Sequence, residues 1–153
     1  MKITKTKDYS TIAELNQYVH NLHVELYPEH FKAYNYEAAE ALFRNAVNKP
    51  HHTFLLLEDH HQYLGYAWIE IKDYPENAFK KSYQSVYVHQ ISIKDVYRKK
   101  GYGSQLMQFI EAMAKDDHID KIELDYWVDN RIAKEFYRKQ GFKTYRKFIY
   151  KDV

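Results

Sequence analysis

The 153-residue chain has no cysteine, which excludes disulfides, thiolate metal sites and cysteine nucleophiles together. No apolar run approaches the ~20 residues that span a bilayer. The opening Met1-Lys2-Ile3-Thr4-Lys5 lacks the apolar stretch of a signal peptide, so a cytoplasmic protein is expected. Charge of one sign is missing too. A formal net charge of +2 argues against nucleic acid or an anionic membrane as the main partner. No Pro/Gly/Ser-rich linker, repeat or low-complexity tract interrupts the chain, and residues 1–153 read as one domain with enough length to bury a core. Tyrosine and histidine are abundant, at 16 and 9 residues. Tyrosine has a flat apolar body and a polar tip, and it fills strands as readily as pockets.

The hydrophobic period divides the chain. Residues 2–7 read as a short strand. Thr11 followed by Glu14 has the form of a capping box, and Ile12, Leu15, Val19, Leu22 and Leu26 fall on one helical face that ends at Pro28. A second helix is expected from Asn35, with Ala39, Leu42, Phe43, Ala46 and Val47 inward, stopping before Lys49-Pro50. The period then becomes that of strands, over Thr53–Glu58 and, after a turn at Asp59-His60-His61-Gln62, over Tyr63–Lys72. A longer strand, Ser85–Ile93, runs toward Arg98-Lys99-Lys100-Gly101-Tyr102-Gly103-Ser104. Leu106, Met107, Phe109, Ile110, Met113 and Ala114 then form a helical stripe. Ile122–Val128 is expected as a strand, Asn130–Lys139 as a helix and Phe142–Tyr150 as a last strand. Strands in a run, then alternating with helices, predict an α/β (α+β) fold with a mixed sheet and helices on both faces. Residues 85–128 should form a right-handed parallel unit within it.

The strand ending at Ile93, the basic glycine loop and the helix starting near Tyr102 or Gly103 form the most informative segment. Amides at a helix start lack internal partners, and the helix dipole places about +0.5 charge there. Glycine lets the backbone approach an anion with no Cβ in the way. Arg98, Lys99 and Lys100 add positive charge for phosphates. Read alone, the segment fits a strand-to-helix turn with solvated lysines equally well. It lacks the Lys-Ser/Thr pair of a Walker loop and the third glycine of a dinucleotide fingerprint.

Arg98-Lys99-Lys100-Gly101-Tyr102-Gly103 does resemble the Arg/Gln-x-x-Gly-x-Gly/Ala signature of the GCN5-related N-acetyltransferases. Ile93-Lys94-Asp95-Val96-Tyr97 leads into it as in that family, with Asp95 where a proline is common. One helix and one strand later, Asn130, Ala133, Phe136, Tyr137, Gly141 and Phe142 match the family's Asn-x-x-Ala-x-x-Phe-Tyr-x-x-x-Gly-Phe at every marked position. The resemblance covers residues ~53–150 by the order of these motifs. The first fifty residues agree in outline only.

The resemblance implies the acyl-CoA N-acyltransferase fold: a mixed, mostly antiparallel central sheet with a parallel splayed pair and helices on both faces. It implies transfer of an acetyl group from acetyl-CoA, as co-substrate, to a primary amine by direct attack in a ternary complex. Main-chain groups of Gln90, Ile91 and Ile93 would pair with the pantetheine, and the amides from Lys99 to Ser104 would hold the pyrophosphate. Asn130 would hydrogen-bond the pantetheine, and Tyr137 would protonate the leaving sulfur. A phenol with a pKa near 10 suits that task, although the residue also fits plain helix packing. Many relatives carry a glutamate where Gln90 stands, and an amide cannot take a proton. His89 is the next candidate base, but simple alternation turns adjacent strand residues to opposite faces. Glu70 and Asp125 are further candidates. Gln90 also gives an alternative reading, a catalytically weak acyl-CoA-binding regulatory domain. The basic tail gives a third, acetylation of charged transfer RNA, which the near-neutral charge opposes. A homodimer is a further implication of the family.

No metal is expected. His51-His52 and His60-His61 flank a strand and stand on the order of 25 Å apart at ~3.3 Å per residue. His20 and His23, one helical turn apart, lack a third ligand. The acceptor, a small-molecule or peptide amine, is expected to enter over the end of the first helix. There His23 to Tyr34 concentrates aromatics, histidines and acids. Tyr27 with Glu25 and Glu29 would suit a small cation through cation–π contact and charge attraction. The same segment fits an interhelix loop that merely covers the core.

Overall fold

The computed structural model describes residues 1–153. Strand β1 (Lys2–Thr6) leads into helix α1 (Tyr9–Leu26). Asp8 caps that helix in place of the expected Thr11–Glu14 box. Its carboxylate accepts from the Thr11 amide at 3.0 Å and the Thr11 hydroxyl at 2.7 Å, satisfying an orphan donor three residues earlier. The helix ends at Leu26, ahead of Pro28. Helix α2 (Tyr36–Ala46) is capped by Asn35, whose side chain accepts from the Ala38 amide at 2.8 Å. It buries Phe43 and Ala46, but Leu42, expected inward, is 54% exposed. At about 100° per residue, Leu42 stands a full residue step around the helix from Phe43, off the edge of the buried stripe.

Strands β2 (His52–Asp59) and β3 (Gln62–Tyr74) form a hairpin. His60 and His61, both at positive φ (47° and 59°), supply the two-residue turn whose twist matches the strands. Strand β4 (Tyr83–Ile93), helix α3 (Tyr102–Asp116), the two-residue strand β5 (Ile122–Glu123) and helix α4 (Arg131–Lys139) follow. The sheet order is β1-β2-β3-β4-β5, antiparallel except for the parallel β4–β5 pair. Strand β2 is buried on both faces, which explains its unbroken apolar run. Leu55 and Leu57 pack with Val86, Val88, Leu106 and Ile110 beneath α3. Phe54 and Leu56 pack with Ile12, Leu15, Phe43 and Tyr66 beneath α1 and α2. No helix is long and apolar enough to cross a membrane.

Two departures at the β4–β5 end shape the site. Pairing between these strands stops after Tyr87↔Glu123, so the strand expected to reach Val128 is cut to two residues. The segment Phe142–Tyr150, expected as a strand, has no strand partner, and Phe148, Ile149 and Tyr150 are more than 80% exposed. Its alternation is that of a strand, but β5 offers only two residues of regular edge to receive it.

A third departure lies within β4. Trp68 pairs with Gln90 and the next residue, Ile69, pairs with Val88, which leaves His89 as the extra residue of a β-bulge. Val86 and Val88 before it, and Ile91 and Ile93 after it, all pack in the cluster beneath α3. Such a spacing requires one residue out of alternation. His89 and Gln90 therefore lie on the same face, toward α1 and α2, against the expectation of opposite faces.

Candidate active site

The loop between β4 and α3 presents a run of free amides. Lys99 and Gly101 take positive φ (61° and 85°), and Gly101 is the N-cap of α3. The six consecutive amides from Lys99 to Ser104 have no backbone acceptor; the first to find one is Gln105, bonded to the Gly101 carbonyl at 3.1 Å. A Cβ on Gly101 would meet nothing within 4 Å, so the space beside that residue is open. Gly103 serves differently: a Cβ there would stand 3.3 Å from Phe136 Cε2, so its bareness lets α4 close on α3. Arg98, expected as a phosphate ligand, also makes bonds within the protein. Its guanidinium donates to the Ile93 carbonyl at 3.2 Å and the Tyr18 carbonyl at 3.3 Å, and pairs with Asp95 at 2.8 Å. It ties the loop to β4 and α1 and leaves Lys99 and Lys100 as the exposed cations. Lys100 lies over the Tyr97 ring. Tyr102 donates from its hydroxyl to Asp59 at 2.9 Å, and the N-terminal ammonium holds the other Asp59 oxygen at 3.0 Å.

Beside this loop runs an unpaired edge. Beyond Tyr87 no strand lies against the β5 side of β4, so the backbone of residues 88–93, which includes Gln90, Ile91 and Ile93, borders an open slot. The Gln90 side chain points away from it. Its carbonyl accepts from the Tyr66 hydroxyl and from the Asn16 amide (3.2 Å) under α1. Asn130 and Tyr137 stand on α4. Asn130 caps that helix, its Oδ1 accepting from the Ala133 amide at 3.0 Å, while its amide nitrogen has no protein partner. Tyr137 is half-buried between Tyr126, Phe136 and Phe142. Its hydroxyl makes no hydrogen bond in the protein, yet it is not sealed from solvent. Burial, with Asp125 nearby, pushes its pKa up, so the phenol keeps its proton.

On the α1/α2 face, His89 joins a polar group that crosses three strands. Its Nε2 is 2.7 Å from Glu70 Oε2, and His52 Nε2 is 3.6 Å from Glu70 Oε1. The register pairs His52 with Glu70 directly. The His89 ring stacks on Trp68 with centroids 4.5 Å apart and meets the Tyr87 ring edge-on at 4.9 Å. Tyr87 in turn donates to Asp125 at 2.5 Å. Burial works to raise the Glu70 pKa, but the His89 hydrogen bond and the charges of His52 and Lys72 outweigh it and hold the carboxyl below its ordinary range.

The model of the Acetyltransferase (GNAT) family matches residues 16–142. The chain belongs to the GNAT acetyltransferase family. A curated relative, the uncharacterized N-acetyltransferase YycN of Bacillus subtilis (strain 168), is 24% identical over 117 residues, 76% of this chain and 71% of that one. A solved tetramutant of the BH1408 protein from Bacillus halodurans matches with a TM-score of 0.94 at 24% identity, over 100% of each chain. The structure of AAC(6')-Iy in complex with the bisubstrate analog CoA-S-monomethyl-acetylneamine matches with a TM-score of 0.68 at 18% identity, over 99% of this chain and 97% of that one. These likenesses establish the acyl-CoA N-acyltransferase fold, and GNAT membership carries the chemistry of acyl transfer to amines.

In this GNAT chain the segment expected to receive the acceptor forms an aromatic wall. Tyr27, His30 and Phe31 all meet Trp127, at 4.6, 5.6 and 5.2 Å between centroids. The Tyr27 hydroxyl accepts from the Asp129 amide at 3.0 Å, which joins the end of α1 to the start of α4. Glu25 and Glu29 are exposed beside this wall. His20 and His23 are spent on the same segment. His20 Nε2 meets the Lys32 carbonyl at 2.6 Å, and His23 stacks on Phe31. The grouping of Trp68, Glu70 and His52 around His89 is not apparent in the sequence, because it needs both the β2–β3 register and the bulge.

Proposed function

We propose that this chain is a single cytoplasmic N-acetyltransferase domain, residues 1–153, which transfers an acetyl group from acetyl-CoA to a primary amine by direct attack in a ternary complex. The observation that carries this reading is the run of six unpartnered amides, Lys99 to Ser104, opening α3 beside an unpaired strand edge. Such a run satisfies a pyrophosphate, and the edge offers main-chain groups of Gln90, Ile91 and Ile93 to a pantetheine amide. Lys99 and Lys100 contribute charge, and Arg98 holds the loop in shape. Asn130 offers its free amide nitrogen.

Acetyl-CoA supplies the thioester whose carbonyl the amine attacks. His89 takes a proton from the acceptor ammonium, freeing the lone pair that forms the C–N bond. As the C–S bond breaks, Tyr137 gives its hydroxyl proton to the sulfur. The remaining surplus proton on nitrogen leaves to solvent. Tyr27, with Glu25 and Glu29 beside it, borders the entry of a small cationic or peptide amine. This scheme assigns a metal no part. The second reading, a catalytically weak acyl-CoA-binding regulatory domain, draws on Gln90, an amide that cannot take a proton and whose oxygen is held by Tyr66 and Asn16.

Calorimetry of acetyl-CoA binding tests the cofactor side. Gly101→Val places a β-branched side chain at a φ of 85° and in the open space beside it, which disturbs the run of amides and should weaken binding by more than about tenfold in a folded protein. Unchanged affinity in the folded variant contradicts the assignment.

A further inference from the structure

We propose that Glu70 and Trp68 are positioning residues that fix the proton of His89 on Nε2 and its ring plane, making Nδ1 the atom that accepts the amine proton. This rests on the acetyl-transfer reading above. An ionised carboxylate only accepts hydrogen bonds, so Glu70 Oε2 at 2.7 Å draws the imidazole proton to Nε2. The lone pair is thereby left on Nδ1. That nitrogen has no hydrogen bond in the protein and is not among the buried, unpartnered atoms, so it faces accessible space. Trp68 stacks on the ring at an interplanar angle of 26°, and Tyr87 abuts its edge. When Nδ1 gains a proton, the cation lies on an indole face with a carboxylate at its far nitrogen, and both stabilise it.

The same three groups invite another reading. The ligating atoms of His52, Glu70 and His89 all lie within 4.8 Å of one another, a spacing that suits a divalent metal. Trp68 decides against it. Its Nε1–H donates to His52 Nδ1 at 2.9 Å, and an indole nitrogen can only donate. Nδ1 of His52 is therefore the unprotonated nitrogen and Nε2 carries the hydrogen, directed at Glu70. A metal on Nε2 would need the opposite tautomer, with Nδ1–H donating outward. Burial also holds the His52 pKa down, against the pull of Glu70; a neutral ring is the form that both readings require, so the tautomer alone separates them.

The charged and titratable groups facing His89 are few. His52 stands on β2, with Lys49 behind it; Glu70 and Lys72 stand on β3; Tyr87, bonded to Asp125, stands on β4. Lys72 is drawn onto the Tyr87 ring, its Nζ 3.7 Å from the centroid, and Glu70 is the one carboxylate bonded to the imidazole.

The test compares wild type with Glu70→Gln and Trp68→Phe, using the best acceptor amine over pH 6–9. Glu70→Gln replaces an acceptor by an amide that can donate to Nε2 and so favours the wrong tautomer. It should lower kcat by about 10²-fold, the low end for a disabled acid–base group, with the acetyl-CoA KM unchanged. Trp68→Phe keeps a stacking ring and should cost less. Loss of kcat in Glu70→Gln while His89 keeps its proton on Nε2 assigns Glu70 to structure and overturns the proposal. Nitrogen-15 spectra of the histidine rings read the same point without turnover. His89 and His52 should both carry the proton on Nε2 in wild type, and His89 should lose that preference in Glu70→Gln. Protonation of His89 on Nδ1 in wild type, or chelator-reversible Zn²⁺ uptake that changes both rings, overturns it. If wild type transfers acetyl to no amine, the acetyl-transfer reading fails, while the spectra still decide the tautomer.

Discussion

Gly103 and Phe136 touch: a Cβ on the glycine would lie 3.3 Å from Cε2 and 3.4 Å from Cζ of the ring. The first turn of α3, which carries free amides, is thereby packed on the helix that carries Tyr137 and is capped by Asn130. Gly103→Ala forces the ring outward by a few tenths of an ångström. Overpacking costs about 1–3 kcal/mol, and a half-buried ring at the surface can yield, so the lower end applies. The melting temperature should fall by roughly 2–4 °C and acetyl-CoA affinity should drop with it. Equal melting and equal calorimetric affinity would show the contact to be slack.

Tyr137→Phe removes a hydroxyl that bonds to nothing in the protein, so stability should hardly change. Acetyl transfer should slow by about 10²–10⁴-fold, the usual cost of losing one acid–base group. Steady-state kinetics beside a thermal melt separate the two effects, and wild-type turnover would assign the residue to packing.

Stability should depend on pH in two stages. Burial lowers the pKa of His23, with His20 adding to it, and burial lowers that of His52 despite Glu70. Each binds a proton less readily folded than unfolded. Their contribution is complete above the ordinary value of 6.5 and is lost as pH falls through the depressed ones. Asp59 is held low by the N-terminal ammonium and Tyr102, so its contribution persists until pH falls below the ordinary 3.8. Melting curves from pH 8 to 3 should show a first decline below about 6.5 and a second at the acid end. A flat profile down to pH 4 would contradict the histidine assignment.

The aromatic wall at the end of α1 is expected to serve the acceptor alone. Tyr27→Ala removes one of the three rings that meet Trp127 and the acceptor for the Asp129 amide. Glu25→Gln and Glu29→Gln remove only charge. All three should raise the amine KM and leave acetyl-CoA affinity unaltered. Loss of cofactor affinity, or unaltered amine kinetics in all three, would move the acceptor site elsewhere.

Local chemistry made much of this legible in the sequence. Gly101 and Gly103 mark the loop because only a bare backbone suits its φ and its contact with Phe136. Asn130 and Gly141 mark the ends of α4 because a cap and a positive φ (87°) are needed there. What escaped depends on pairing. The bulge at His89 leaves no trace in composition, and alternation alone sends His89 and Gln90 to opposite faces. The meeting of His52 with Glu70 is a matter of register between β2 and β3. Phe142–Tyr150 has the period of a strand, but a strand also needs an edge, and β5 provides two residues. Arg98 reads as a phosphate ligand in the sequence, and its bonds to the carbonyls of Ile93 and Tyr18 appear only in the fold.

The central claim is acetyl transfer to an amine, and release of free coenzyme A thiol from acetyl-CoA across a panel of amines tests it most directly. Polyamines, aminoglycosides, amino acids and peptide N-termini make up the panel. The account predicts release that depends on the amine, saturates with it, is matched by acetylation of the amine nitrogen, and collapses in Tyr137→Phe. Tight acetyl-CoA binding with no amine-dependent release from any member would contradict it and leave an acyl-CoA-binding regulatory domain.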